Sequence, residues 1–160
     1  VKALKKLRLV QGHDLPDVQI LRDNGFRVLE SASYEFMYSD IAKGVYDYAL
    51  RGVFEVYPEF KKFKQDNLFI DDNYLFYYPS AIYYFVRQDD TDLQQKLEFA
   101  LRQMIATGEF DRLFLSYPAH AYALAQAKLN SREKISLINP LLPDKVPLDQ
   151  AHYWYPINMP

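Results

Sequence analysis

The chain has 160 residues, about half of them apolar and a quarter charged, with a net charge of −2 at pH 7. This composition fits one domain or two small lobes around a hydrophobic core, and it gives no reason to expect nucleic acid as a partner. Cysteine is absent, which excludes disulfides and thiolate metal sites. No apolar run approaches the roughly 20 residues that a membrane-spanning helix needs.

The first 63 residues alternate short apolar strands with helices. Strands are predicted at residues 7–10, 26–31 and 46–52, and a helix is predicted after each of them. This β-α-β-α-β-α order, with its short connections, predicts an α/β fold in which a parallel sheet is flanked by helices.

Several residues mark the expected ends of these helices. Asp14 and Ser33 are placed to cap the first two helices, and Gly25 and Gly44 are placed to end them. We expect the third helix to be interrupted at Pro58, because proline lacks a backbone donor and clashes with the preceding turn.

The second half has a different pattern. A strand-like segment at residues 75–88 is broken at Pro79, and the clearest helix of the chain follows at residues 91–107. Two more helical segments lie before and after Pro118. From Ile138 onward the chain is rich in proline yet apolar, so we expect this tail to lie packed along a surface.

The usual signatures of catalysis are missing from the sequence. There is no glycine-rich nucleotide loop, no nucleophile elbow, and no pair of metal-ligating side chains at helical spacing. His120 and His152 are predicted to have structural or surface roles. We therefore predict no catalytic residue, no metal ligand, no cofactor and no enzymatic activity.

The order of these segments resembles a known family, the bacterial extracellular solute-binding family 3 of polar amino-acid ABC transporters. The strongest resemblance lies at residues 82–114, where "YYFVRQDDTDLQQKLEFALRQMIATGEFDRLF" combines an acidic helix start, a long helix and a glycine-aromatic step. In "DIAKGVYDYALRG", Gly44 and Asp47 hold the places of a second family element. The proline-rich tail is similar to the ending of one subgroup.

The resemblance implies a periplasmic-binding-protein type II fold, in which two α/β lobes clamp a ligand between them like a Venus flytrap. Residues 1–75 would be the second lobe, and residues 76–160 would return to the first lobe as a helical segment with a packed tail. The chain would then be a fragment of the two-lobe fold, periplasmic, with its signal peptide removed or outside this sequence. We expect a small-molecule ligand, an ABC permease in the inner membrane and a homodimer through an exposed sheet edge as partners.

The third predicted strand raises a question about the ligand. In the family, a carboxylate at the end of this strand grips the ligand's ammonium group, and that position falls at Gly52. Arg51 stands beside it, with Glu55 one turn further on. One interpretation is that Arg51 binds an anionic group of the ligand. The alternative is that Arg51 pairs with Glu55 or Asp47 and serves packing.

Further candidate ligand-binding residues follow from the same placement at strand ends. They are Gly12 and His13 after the first strand, Ser33 and Tyr34 after the second, Glu55 one turn beyond the third, and Tyr78 near the crossover to the other lobe. Helix capping is an alternative role for Ser33, a surface or capping role for His13, and strand packing for Tyr78.

The resemblance leads to a functional hypothesis with an alternative. The chain would capture a small polar ligand, anionic or amino-acid-like, for an ABC transporter. The same module also serves as a sensory domain of membrane signalling proteins, and the missing acid at Gly52 leaves a partner-binding role open.

Overall fold

The structure, a computed structural model, describes residues 1–156 and has an α/β architecture. Its strands are β1 Leu9–Gly12, β2 Val28–Ser31, β3 Tyr48–Ala49, β4 Tyr74–Tyr77 and β5 Glu133–Ser136. Its helices are α1 Asp17–Asp23, α2 Tyr34–Ala42, α3 Val53–Lys62, α4 Thr91–Ala106, α5 Glu109–Ser116 and α6 Pro118–Ala127. Short 3₁₀ turns lie at Leu4–Lys6, Leu129–Ser131 and Ala151–Tyr153.

The first three strands form a parallel sheet in the order β2-β1-β3. Leu9 of β1 pairs with Val28 on one side and with Tyr48 on the other. All four residues of β1 are buried, as expected for a central strand. The predicted parallel sheet with alternating helices is therefore confirmed, although β3 is shorter than the predicted third strand.

A second sheet joins distant parts of the chain. Strand β4 pairs in parallel with β5, and their register runs from Tyr74 opposite Glu133 to Tyr77 opposite Ser136. The expected lobe boundary after residue 75 falls inside β4. The strand predicted beyond Pro79 was wrong, because residues 78–87 pair with no other strand in the described part of the chain.

The hydrophobic core lies on both faces of the three-stranded sheet, because successive side chains of β1 point to opposite faces. One cluster contains Leu9, Val18, Leu21, Phe26, Val28, Ile135 and Leu137. The other contains Val10, Met37 and Tyr38, with Phe63 and Leu68 packed against it. Strand β5 thus completes the core of the first sheet, although it belongs to the second.

The helix ends agree with most of the expected caps. Ser33 Oγ accepts a hydrogen bond from the Phe36 amide at 3.4 Å, and Gly25 and Gly44 follow their helices with φ values of 80° and 75°. The predicted cap at Asp14 was wrong, because α1 begins after Pro16 without a side-chain cap.

Helix α3 runs through Pro58 without interruption, contrary to expectation. The amides on either side still bond within the helix, from Val56 to the Gly52 carbonyl at 2.9 Å and from Phe63 to the Glu59 carbonyl at 2.8 Å. The proline therefore removes one hydrogen bond without ending the helix.

The remaining helices follow the prediction in position, and α4 ends before Gly108, which has a φ of 71°. In the described part of the chain, no helix is both long and apolar enough to cross a membrane. The tail is packed at Val146, and the Trp154 indole donates to the Pro147 carbonyl at 2.9 Å, whereas Ile138 and Leu141 are exposed. The rest of the predicted tail, residues 157–160, lies outside the described residues.

Candidate functional site

A small cavity lies at the carboxyl edge of the three-stranded sheet, where the loops after β1 and β2 meet the start of α2. Its volume is about 50 Å³, and it is lined by Gly12, His13, Asp14, Ser31, Ala32, Ser33, Tyr34 and Met37. Because β1 and β2 are parallel, their carboxyl ends meet at this edge. Four of the predicted binding residues, Gly12, His13, Ser33 and Tyr34, are therefore brought together.

Hydrogen bonds between the two loops fix the polar atoms around the cavity. The His13 amide donates to the Ser31 carbonyl at 3.1 Å, and His13 Nδ1 lies 3.4 Å from the same oxygen. Ser31 Oγ donates to the Ser33 carbonyl at 2.9 Å. His13 itself is exposed, so its imidazole stands at the rim with its backbone held in place.

Gly12 allows two side chains that line the cavity to approach the backbone closely. A Cβ atom at this position would lie 3.2 Å from the Tyr34 hydroxyl oxygen and 3.3 Å from Asp14 Oδ1. Both distances are tighter than ordinary van der Waals contacts, so a larger residue would force these two cavity-lining side chains to shift by a few tenths of an ångström.

Arg51 does not line the cavity, and its guanidinium is already engaged. Its side chain is only 7 % exposed. Nε and Nη2 donate to the two carboxylate oxygens of Glu59 at 2.7 and 2.6 Å, and Glu55 Oε2 lies 3.1 Å from Nη2. The pairing with Glu55 that the sequence offered as an alternative is confirmed, with Glu59 as a stronger, bidentate partner.

The expected alternative pairing of Arg51 with Asp47 was wrong. Asp47 instead pairs with Arg8 at 2.7 Å, just before β1 and β3 begin. Hydrogen bonds from the Arg8 side chain and amide lower the pKa of Asp47 to about 2. This pair ties the amino ends of two strands together, at the edge opposite the cavity.

Arg51 reaches the cavity indirectly, through an aromatic contact. Its guanidinium carbon lies 5.1 Å from the centre of the Tyr34 ring, which is cation–π distance. Because Tyr34 lines the cavity, the guanidinium contacts one of its lining residues.

The carboxylate of Glu59 connects Arg51 to helix α2. The Tyr38 hydroxyl donates to Glu59 Oε2 at 2.5 Å. Burial raises the pKa of Tyr38, and the hydrogen bond to Glu59 raises it further. Burial alone would raise the pKa of Glu59, but the bonds from Arg51 and Tyr38 outweigh it and hold that pKa below its usual value. The Glu59 carboxylate thus links the segment after β3 to α2 and α3 through its bonds to Arg51 and Tyr38.

Two other predicted binding residues lie away from the cavity. Glu55 Oε2 accepts a hydrogen bond from the Gly52 amide at 3.2 Å, which caps α3. The Tyr78 hydroxyl donates to Asp17, and its ring packs against the core of the first sheet. Burial and the neighbouring Asp17 raise the pKa of Tyr78.

The sequence analysis missed two important residues. Asp14 was assigned to a helix cap but lines the cavity, and its place two residues after the end of β1 was the available signal. Glu59 was missed because it lies beyond Pro58, where the helix was expected to break, so its distance from Arg51 could not be inferred.

A larger, open depression lies between the end of α6 and residues 155–156. Its volume is about 460 Å³, and its lining includes Leu124, Lys128, Asn130 and Tyr155. Among the described residues no predicted binding residue lines it, and it borders the undescribed end of the chain. The cavity at the sheet edge is therefore the stronger candidate site.

Neither a metal centre nor a similar protein assigns a function to this site. Within residues 1–156, no group of three His, Asp or Glu side chains is placed to hold a metal ion. No family model matches the chain, and no curated protein or solved structure gives a significant match. The resemblance to the solute-binding proteins therefore stays a prediction.

Proposed function

We propose that this chain captures a small polar ligand at the sheet-edge cavity, as part of an extracytoplasmic solute-binding protein that serves an ABC transporter. One observation supports the proposal above all: residues from two separate strand ends line a common cavity at the carboxyl edge of a parallel sheet. Open α/β sheets generally bind their ligands outside this edge.

The lining favours a ligand with both donors and acceptors. Asp14 supplies a carboxylate that suits an ammonium group, His13 supplies an imidazole, and the remaining polar atoms are hydroxyls and backbone amides. This set fits an amino-acid-like ligand better than an anion held by Arg51, because Glu59 and Glu55 already occupy that guanidinium.

The size of the cavity indicates how the ligand is held. Ligand pockets usually have volumes of about 300–1,000 Å³. A cavity of about 50 Å³ admits only one functional group, so most of the ligand would project from the sheet edge. Such a ligand needs a second surface over it, which is the arrangement of a two-lobed clamp.

We assign Arg51 the role of a positioning residue. Its guanidinium packs against the Tyr34 ring while Glu59 holds it in a bidentate ion pair. The residue thus fixes the aromatic wall of the cavity without contacting the ligand.

A partner-binding role is the second candidate. The small cavity and the many exposed large apolar side chains of the second half both favour it, because such surfaces typically mark protein interfaces.

A thermal-shift screen of the chain tests ligand capture. The probes are amino acids, dicarboxylates, phosphate compounds and short peptides. A ligand at about 100 times its dissociation constant adds roughly 2.7 kcal/mol of stability, which is a shift of several degrees in Tm. We expect an amino acid to give the largest shift, and His13→Ala to reduce it while His152→Ala leaves it unchanged.

A second variant separates the cavity from the rest of the surface. Gly12→Ala should reduce the shift, because the new methyl group displaces Tyr34 and Asp14, which line the cavity. If every probe leaves the Tm unchanged, this chain by itself does not capture these ligands, and if both histidine variants behave alike, the ligand does not bind at this cavity.

A further inference from the structure

We infer that residues 80–86, "SAIYYFV", form a dimer interface in which two copies of this chain pair these segments as antiparallel strands. The segment follows Pro79 and precedes Arg87. In the described part of the chain, none of its backbone amides or carbonyls has a hydrogen-bond partner. This inference is independent of ligand capture, because the segment contributes nothing to the cavity.

The side chains of this segment are exposed to an unusual degree. Ile82 is 94 % exposed and Phe85 is 95 % exposed, and Tyr83 and Tyr84 are also largely exposed. Isoleucine, tyrosine, phenylalanine and valine are the residues that strands prefer. A run of strand-forming residues with free backbone groups is a template for pairing with another chain.

The chain as a whole exposes more surface than a folded monomer of its mass is expected to expose. The chain exposes 11498 Å². A folded monomer of 18.9 kDa is expected to expose only about 8,300 Å². The excess of about 3,200 Å² is larger than the roughly 800 Å² that each partner buries in a standard interface.

The charge pattern favours a second copy as the partner. No charged residue lies between Ser80 and Val86, so two copies meet without like-charge repulsion. A two-fold axis across this segment makes the paired strands antiparallel. The Arg87 residues of the two copies then lie at opposite ends of the pair, which keeps them apart.

The oligomeric state of the full chain tests this inference. Light scattering after gel filtration should give twice the 18.9 kDa chain mass, measured over two decades of protein concentration. Phe85→Lys should weaken dimerisation at least about tenfold, and its circular dichroism should stay unchanged because the side chain is not packed in the fold. Phe69→Lys is the matched control, since Phe69 is 82 % exposed but lies outside the segment.

Disulfide trapping locates the contact, because the chain has no cysteine of its own. Single cysteines at positions 82, 83, 84 and 85 should form a cross-linked dimer at one position or at two adjacent ones, where the two-fold axis brings the copies together. Phe69→Cys should not cross-link. A monomer at every concentration, larger open oligomers, or equal cross-linking at position 69 would overturn the inference.

Discussion

The sheet region, residues 9–63, and the helical region, residues 80–127, differ in how far their helices bury apolar side chains. In the sheet region, the short helices α1 and α2 together bury five residues, Val18, Ile20, Leu21, Met37 and Tyr38, whereas α3 buries none. In the helical region, the much longer α4 has no fully buried residue, and neither has α5. Only Ala123 and Ala127 of α6 are buried there.

This difference separates two kinds of information in an amphipathic sequence. The spacing of apolar residues in α4 determines which side of the helix is apolar, and it does so as clearly as in α1. It does not determine what covers that side. On the apolar side of α4, Leu93 is exposed and Leu97, Leu101, Met104 and Ile105 are only half-buried, so this side has less cover than the sheet gives to α1.

The largest expected effect compares two leucines on these helices. Leu21→Ala should lower the free energy of unfolding by about 2–5 kcal/mol, because it leaves a cavity in the packed core. Leu113→Ala on the exposed helix α5 should cost less than about 0.5 kcal/mol. Urea denaturation measures both, in a Phe85→Lys background that keeps the chain monomeric. Similar losses at the two sites would contradict the contrast between the regions.

An intermediate effect compares two glutamates that pair with arginine. Glu59→Gln should cost about 2 kcal/mol at neutral pH, because it leaves the buried Arg51 without its bidentate partner. Glu98→Gln should change little, since its pair with Arg102 on α4 is exposed. Thermal denaturation in matched buffers gives both values.

The pH dependence of the Glu59→Gln effect gives a second test of the contact between Glu59 and Arg51. Because the pKa of Glu59 is lower in the folded state than its ordinary 4.5, its stabilisation is fully present above that pH. This stabilisation is lost as the pH falls from 4.5 through the lower pKa that Glu59 has in the folded state. The difference in free energy of unfolding between Glu59→Gln and the unmodified chain should therefore become smaller below pH 4.5. A gap that stays constant down to pH 3 would mean that Glu59 is not held as a carboxylate by its partners.

The smallest expected effect compares two helix caps. Ser33→Ala removes the cap of α2, which packs Met37 and Tyr38 into the core, so it should cost about 1 kcal/mol of global stability. Asp90→Ala removes the cap of α4, whose amide partner is Leu93, and should mainly fray that helix. Hydrogen exchange distinguishes the outcomes, and equal global losses would count against the contrast.

Much of the sheet region could be predicted from the sequence because its signals are local. A strand, a helix-capping residue and a helix-ending glycine follow one another closely in the sequence, as Ser33 and Gly44 do around α2. Parallel pairing then brings Gly12, His13, Ser33 and Tyr34 to one edge, since the carboxyl ends of parallel strands meet. The predicted positions of α4, α5 and α6 rest on equally local signals.

The errors arose where long-range contacts decide the structure. Strand β5 offers only Ile135, with Leu137 just beyond its end, which is too short a pattern to separate from a loop. The strand forms because it pairs with β4 and packs on the core of the first sheet. Helix α3 continues through Pro58, and the contact between Arg51 and Glu59 spans that turn. Neither contact leaves a local signal.

The position of β5 late in the chain has a consequence for how this protein folds during synthesis. Ile135 and Leu137 belong to the core that forms around β1, and the Asn24 side chain exchanges two hydrogen bonds with the backbone of Ile138, at 2.7 and 3.0 Å. Domains commonly fold from the N-terminus as they leave the ribosome. Here the core of the first sheet cannot be completed until about residue 138 has emerged. Until then, part of the apolar surface of β1 and β2 stays exposed to solvent.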